Sequence, residues 1–361
     1  MKILRTTGGG VYLQQYKEPA LSRQVVSFIN PSAPVSKLSL PPVEGLEDLE
    51  PEQIIQYARE AAIVDERDGR PLWKKLNAGR RRKMEIVLGD AMDDEPYISS
   101  QLGPLLHFSE QAAQGLRAAV RAVGAQQMAF VVYKNLTDLS TRIPKSLDSI
   151  PVERLGGKYP VEIRANKADK DSKETLILGV CSLIHLARAI HQGEMQSTCF
   201  VTVAGNCVAN PQNLEVSLGM TAHQVLERCG LSRDPTRVII GGSMTGIAVI
   251  DTDKTLVSPV TRGVLAFLED EEERRYRCIR CGRCINACPQ GLNPMLINKA
   301  IKLRREKILE EMGLDRCIGC GTCSYVCPAK EEIAADIQRY QAQKAAKSQE
   351  EEVLSVETGT P

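Results

Sequence analysis

The sequence predicts an α/β protein in three parts: an open α/β layer, a compact β-grasp module, and a small helical module organised by cysteines. Three observations carry that prediction. Strand-like and helix-like patterns alternate from residue 51 to about 195, and a hairpin–helix–strand texture follows from 198 to 250. Two blocks of four cysteines, CIRCGRCINACP (278–289) and CIGCGTCSYVCP (317–328), then close the chain.

In the first part, PEQIIQYAREAAIV reads as a helix with Pro51 in its first turn. MEIVLG (84–89) is a short apolar strand, 109–125 an amphipathic helix with Ser109 as its cap, and QMAFVVY (127–133) a strand. VEIRA, after the KYP at 158–160, reads as a further strand, and TLILGVCSLIHLARAIHQG as a mostly buried helix. In the second part, CFVTVAGNCVANPQNLEVSLGMTAHQVLERCG gives strand, turn, strand and a helix capped by Thr221. RVIIGGSMTGIAVI adds two returning strands, the pattern of a β-grasp module.

Both cysteine blocks have the form C-x2-C-x2-C-x3-C-P. Three closely spaced thiolates reach three irons of one cubane, and the fourth, before proline, ligates the other cluster of a two-cluster ferredoxin. Cys278, Cys281, Cys284 and Cys327 are therefore expected to hold one [4Fe–4S] cluster, and Cys317, Cys320, Cys323 and Cys288 a second. Gly282, Gly319 and Gly321 allow the tight wrap that turns amides toward sulfur. Zinc ribbons also use C-x2-C pairs, but two complete repeats with both prolines suit cubanes better. One helix is expected to start near Pro294 in the stretch 291–315 between the blocks, and another after Cys327. Arg274, Arg275, Arg277, Arg280 and Arg283 surround the first block, either as a solvated basic face or as charges that raise a cluster's potential or steer an acidic partner.

Composition narrows the setting. Across 361 residues, 46 lysines and arginines nearly balance 45 aspartates and glutamates, giving no electrostatic reason for nucleic-acid binding. No apolar run has bilayer length, and the start lacks a secretory core. Twelve cysteines without such a leader read as metal ligation in a reducing interior. The expected location is cytoplasmic, with peripheral association on the inner face of the cell membrane left open.

VTVAGNCVANPQNLEVSLGMT, GGSMTG, SPVTRG (258–263) and the double cysteine block together resemble the RnfC/RsxC-like family, the C subunits of the Rnf/Rsx electron-transport complex. The resemblance spans about residues 50–335. It implies a Rossmann-like flavin and NADH layer of the complex I flavin-subunit type, then a β-grasp SLBB domain, then a two-cluster ferredoxin domain. The corresponding bounds are a short N-terminal segment 1–48, the α/β domain 49–195, the SLBB domain 196–265, the ferredoxin-type domain 266–340 and a disordered tail 341–361. DDEPYISS (93–100) resembles the stretch lining the family's nucleotide site, so Gly69, Glu95 and Tyr97 are the remnants to expect of such a pocket.

Three departures disfavour FMN and NADH here. VDERDGRPLW (64–73) stands where the family has a glycine-rich loop, placing Asp65, Glu66 and Asp68 where amides should approach phosphate, with Arg67 and Arg70 as partial offsets. The segment after KYP is shortened, and the region before residue 48 is too short for the family's extra β domain. Trp73 is expected to plug the space of a cofactor ring. Cys181 is the one candidate redox thiol, while Cys199, Cys207 and Cys229 read as small buried apolar residues. His107, His185, His191 and His223 are not grouped as ligands, and the GGG at 8–10 has no strand–helix context.

The sequence thus reads as an iron–sulfur relay, passing single electrons through two [4Fe–4S] clusters to or from a redox partner or other subunits of an oxidoreductase complex. A soluble-reductase setting, like that of the D-proline reductase electron-transfer protein, fits as well as a membrane complex. The alternative is an NADH-oxidising, FMN-containing subunit of the usual family kind.

Overall fold

A computed structural model describes residues 24–30, 37–134, 143–162, 174–268 and 276–344. The glycine run at 8–10, Arg274, Arg275, and the tail beyond 344 lie outside the described residues. The described chain divides into two compact units, one comprising 24–157 and 174–268, the other 158–162 and 276–344.

The first unit is built on two sheets. Its elements run β1 (Val25–Phe28), α1 (Pro51–Glu60), α2 (Leu72–Arg81), β2 (Ile86–Ala91), α3 (Leu102–His107), α4 (Ser109–Val123), β3 (Gln127–Tyr133), β4 (Ser146–Leu147), β5 (Ile150–Leu155), β6 (Thr175–Gly179) and α5 (Val180–Gln192). β2 to β6 form a five-stranded sheet in the order β4-β5-β3-β2-β6, parallel except for the edge strand β4. Its central strands are buried on both faces, β2 from Val87 through Ala91, which is why MEIVLG reads as a continuous run. Pro51 sits in the first turn of α1, and the Glu50 amide donates to Gln53 Oε1 at 2.7 Å, closing a capping box.

Three local expectations differ from the structure. TLILG is the strand β6, with the helix beginning only at Val180; a short buried apolar run without a turn signal has no period that separates strand from helix. Ser109 is the first residue of α4 and makes no side-chain cap, because the preceding turn of α3 leads directly through Phe108. Val161 and Glu162 are helical, not extended, and the rest of VEIRA lies outside the described residues.

The second sheet continues with β7 (Thr198–Ala204), β8 (Gln212–Ser217), α6 (Ala222–Cys229), β9 (Arg237–Ile240), β10 (Ile247–Val249) and β11 (Gly263–Phe267), in the order β1-β8-β7-β11-β9-β10. β7 and β8 form the expected hairpin, and β11 runs parallel to β7 to complete the grasp. Thr221 caps α6 as its sequence predicts: Oγ1 accepts from the Gln224 amide at 3.2 Å while Gln224 Oε1 accepts from the Thr221 amide at 2.9 Å. β1, from the segment expected only as a short leader, adds a parallel strand beside β8.

The second unit packs α7 (Arg283–Ala287), α8 (Pro294–Lys302), α9 (Glu306–Glu311), α10 (Thr322–Tyr325) and α11 (333–344) around Leu292, Ile297, Leu309, Leu314, Ile333 and Ile337. Asn293 caps α8 by accepting from the Leu296 amide at 3.2 Å. The single helix expected between the cysteine blocks breaks at Arg304, whose φ is +53°, so that α9 turns Leu309 back into the core while Leu303 stays 53% exposed. No helix of the described residues is long and apolar enough to cross a membrane.

One glycine sets the spacing of the first unit. A Cβ on Gly115 of α4 would overlap the backbone carbonyl of Leu183 on α5, so those helices touch backbone to backbone. Gly115→Ala is expected to lower stability by ~1–3 kcal/mol, the cost of overpacking a rigid contact; a chemical-denaturation midpoint equal to the parent's would refute it.

Candidate functional sites

In the five-stranded sheet the chain leaves β2 toward β3 on one side, while β6 lies on the other. The crevice between the carboxyl ends of β2 and β6 is therefore a topological switch point, the usual ligand site of an open α/β sheet, and the N-terminus of α5 opens onto it. Here the chain fills that place itself. Glu66 Oε1 accepts from the Cys181 amide at 2.9 Å and Oε2 from the Ser182 amide at 3.0 Å, while Asp65 Oδ2 accepts from the Gly179 amide at 3.2 Å. A carboxylate thus stands on the helix N-terminus where an anionic ligand would bind. A Cβ on Gly179 would overlap it, so the contact is to bare backbone.

The loop's other charges are also committed. Arg67 Nε lies 2.7 Å from Asp90 Oδ2, with both side chains buried, and its NH1 donates to the Ile177 carbonyl at 2.8 Å. Lys75 from α2 approaches Asp65 at 2.5 Å and Asp68 at 3.4 Å. Asp93 accepts from the Leu102 amide at 2.8 Å and pairs with Arg262 at 3.0 Å. What remains is a cavity of ≈ 10 Å³, bordered by Glu66, Ser100, Cys181, His185 and Arg262. That volume takes about one water molecule, whereas ligand pockets run to roughly 300–1,000 Å³. Among the described residues, the amides at this helix N-terminus are taken by the chain's own carboxyl groups, where a phosphate would otherwise be received.

The residues expected to mark a flavin pocket do not meet here. Gly69 is exposed with φ +70°, serving the turn that returns its amide to the Asp65 carbonyl. Glu95 is buried but turned toward the second sheet, accepting from the Met244 amide at 2.7 Å and from Thr245 Oγ1 at 2.5 Å. Tyr97 packs edge-on against Phe267 at 5.1 Å. Trp73 does not plug the crevice; it is half-buried on α2 with the Arg59 guanidinium over its ring at 5.3 Å, and the plug is made of carboxylates. Arg70 is exposed, so Arg67 and Lys75 supply the compensating charge. Cys181 Sγ donates to the Ser100 carbonyl at 3.4 Å, and burial, with Glu66 and Asp93 nearby, pushes its thiol well above the ordinary range, the opposite of a redox-active thiol.

Burial and the adjacent Asp65 raise the Glu66 carboxyl to about 7. Burial also acts against the charge on Asp65, but Lys75 and Arg67 together outweigh it and hold that carboxyl low. His185 is shifted the other way, to about 4, by burial and by Arg188. Between the ordinary glutamate value and about 7, the folded protein keeps a proton on Glu66 that the unfolded chain releases, so this group's contribution to stability is lost as pH rises through that window. His185 stays neutral when folded, so its contribution is lost as pH falls from about 6.5 toward 4. Glu66→Gln is expected to remove the first slope and leave the second, giving a denaturation midpoint that rises more steeply from pH 4.5 to 6.5 than the parent's; parallel profiles would refute the Glu66 shift.

The second unit brings the block cysteines around two separate cavities. Cys278, Cys281, Cys284 and Cys327 border one of ≈ 50 Å³. Cys288, Cys317, Cys320 and Cys323 border another of ≈ 30 Å³. Each cavity therefore draws three thiols from one block and one from the other. Among the described residues no three thiol, imidazole or carboxylate groups converge on a point as a single metal ion requires; the thiols surround a volume, which suits a polynuclear cluster and not a zinc ion with ligands at about 2.3 Å. Gly282, Gly319 and Gly321 all have φ between +65° and +74°, as the tight wrap needs. Amides point at sulfur: Arg280 N lies 3.4 Å from Cys278 Sγ and Leu292 N 3.4 Å from Cys288 Sγ.

The loop of the second block has supports that sequence reading did not identify. Tyr159, fully buried, donates from its hydroxyl to the Cys320 carbonyl at 3.0 Å. Gln338 donates to the Gly319 carbonyl at 2.9 Å, and Thr322 Oγ1 lies 3.0 Å from Cys320 Sγ. Tyr159 lies 161 residues from Cys320, and no local pattern signals a contact across that separation.

Comparison with known proteins follows the same division. A 4Fe-4S dicluster domain model matches residues 271–328 and an SLBB domain model residues 200–248. The C subunit of the Na(+)-translocating ferredoxin:NAD(+) oxidoreductase complex of Acetobacterium woodii is 25% identical, over 72% of this chain and 62% of its own length. The C subunit of the ion-translocating oxidoreductase complex of Rhodobacter capsulatus is 28% identical, over 71% of this chain and 53% of its own. The chain thus spans between half and two thirds of these relatives. Among solved structures, an NAD+-reducing [NiFe]-hydrogenase in the H2-reduced state matches with a TM-score of 0.54 at 14% identity, covering 83% of this chain and 66% of that one, which is a likeness of fold.

Proposed function

We propose that this chain, a homologue of the C subunits of ion-translocating oxidoreductase complexes with SLBB and 4Fe-4S dicluster domains, is an electron relay that does not itself oxidise NADH. Cys278, Cys281, Cys284 and Cys327 hold one [4Fe–4S] cluster, and Cys317, Cys320, Cys323 and Cys288 the other. When bound, each cluster supplies one-electron chemistry. The chain's own part is to supply thiolates, to aim amides at their sulfurs, and to keep water from the inner thiols: Cys284 and Cys320 are only 8% exposed. No side chain is needed to move a proton.

The observation that carries this reading is the pair of opposite outcomes in one molecule. The thiols border two cavities in complete sets of four, while the crevice where a flavin would feed them is filled by Asp65, Glu66 and the Arg67–Asp90 pair. Electrons then enter and leave through partner proteins. We place the chain in the cytoplasm, working with a redox partner or with further subunits, and peripheral if those subunits sit at the inner face of the membrane.

Protein purified without oxygen is expected to contain about eight irons per chain, no acid-releasable flavin, and clusters that do not bleach with NADH. Stoichiometric flavin with NADH bleaching would establish the NADH-oxidising alternative instead. Cys327→Ser is expected to reduce the iron content to about four per chain and to leave the spectrum of the other cluster unchanged; loss of iron from both sites alike would contradict the crossed assignment.

A further inference from the structure

The two cysteine blocks are internal repeats, and aligning them position by position exposes a difference in purpose. Cys278, Cys281 and Cys284 correspond to Cys317, Cys320 and Cys323. Between them, Arg280 stands where the second block has Gly319, and Arg283 where it has Thr322. Both members of the first pair adopt the left-handed conformation, Arg280 with φ +57° and Gly319 with φ +65°. Glycine takes that conformation freely, whereas a residue with a Cβ is disfavoured there. The second block uses the residue that the backbone prefers, and the first keeps an arginine in spite of it.

The surroundings differ in the same direction. Thr322 is buried and turned onto the Cys320 sulfur, whereas Arg283 is exposed. Cys278 and Cys281 are exposed; of the three matched thiols in the second block, Cys320 is buried and Cys317 and Cys323 are half-buried. Arg280 and Arg283 border the same cavity as the first set of thiols. Tyr276 and Ile279, 59% and 65% exposed, flank Cys278 with apolar surface. No ion pair or hydrogen bond among the described residues engages the side chains of Arg277, Arg280 or Arg283. The acidic run at 269–273 precedes this loop in sequence and lies outside the described residues.

We propose that the first block is the molecule's electron port: a docking surface, made of Arg277, Arg280 and Arg283 around exposed Tyr276 and Ile279, for a small acidic one-electron carrier protein. This rests on the relay reading above. A strained arginine is retained at the rim of a redox site because its charge acts on something outside the chain. Guanidinium groups suit partner carboxylates in a fork geometry, and an apolar centre within a charged rim is the anatomy of a transient protein interface. An anionic membrane could also attract arginines, but it would gain nothing from having exposed cluster ligands at the centre of the patch. Electron tunnelling falls steeply with distance, so a carrier gains by contacting the face where two ligand thiols reach the surface.

The test transplants the second block's residues into the first. Arg280→Gly relieves the backbone, and Arg283→Thr copies a residue that its twin already tolerates, so the double variant is expected to keep its full iron content. Its equilibrium binding to an acidic plant-type [2Fe–2S] ferredoxin, measured by anaerobic calorimetry at low ionic strength, is expected to weaken by roughly tenfold, the lower range of electrostatic steering and complementarity. The salt dependence of binding should flatten with it. A small-ion readout checks the sign of the local field. Reoxidation of the reduced clusters by ferricyanide, an anion, should slow with added salt in the parent and lose most of that dependence in the variant. Reoxidation by hexaammineruthenium(III), a cation, should show the reverse trend in the parent.

Unchanged affinity and unchanged salt slopes in the iron-replete variant would overturn the port. So would a parent that ignores the ferredoxin and binds vesicles containing anionic lipid. If the parent binds the ferredoxin in an arginine-dependent way but its clusters never exchange electrons with it, the docking surface stands and the relay reading falls.

Discussion

The contact on which the first unit turns is that of the Glu66 carboxylate with the amides of Cys181 and Ser182. A helix N-terminus at a switch point is an anion site by construction, because its first amides have no partner within the helix. In this chain the group in that place, the Glu66 carboxyl, is covalently part of the protein. Once Glu66 is there, Asp65 beside it needs Lys75, Asp90 needs Arg67, and the loop is drawn into a closed set of buried charges. The raised carboxyl of Glu66 follows from the same arithmetic, since one more buried negative charge has no cation of its own. The place of a usual ligand site is, among the described residues, part of the buried core.

The second unit carries the cysteine blocks, whose thiols border two cavities. Its core is a few helical turns around Leu292, Ile297, Leu309 and Ile337, and the fourth cysteine of each block lines the cavity of the other block's first three. The two loops share a backbone conformation and differ in what surrounds it. One is covered and braced by Tyr159, Thr322 and Gln338; the other carries exposed thiols and arginines. The difference between the repeats is chemical, a hydroxyl on sulfur at one site against guanidinium at the other.

The sequence was legible where chemistry is local. The spacing of the cysteine blocks groups the thiols, and the structure sets those groups around two cavities. Thr221 announces its helix cap, and QMAFVVY its strand with the same bounds. Reading failed where the deciding neighbour is distant. TLILG is as apolar as a buried helix and becomes a strand only because β2 pairs with it. Trp73 is expected in the cofactor space because it follows the altered loop, yet α2 turns it toward Arg59. Glu95 and Tyr97 sit in a stretch resembling a nucleotide site, but β11 and the 242–245 turn claim them.

By itself, then, the sequence determined the ligand chemistry and the order of the parts, because thiol spacing, capping residues and apolar periods act over a few residues. It also marked the loop at 64–73 as wrong for phosphate. Only the tertiary structure decided what that loop does instead. Whether a carboxylate repels a ligand or replaces it depends on which backbone amides lie across from it, and the amides of Gly179, Cys181 and Ser182 come from more than a hundred residues away. The same holds for Arg280 and Gly319: their alignment is visible in the chain, but the shared left-handed backbone that makes the arginine costly exists only once both loops are wrapped.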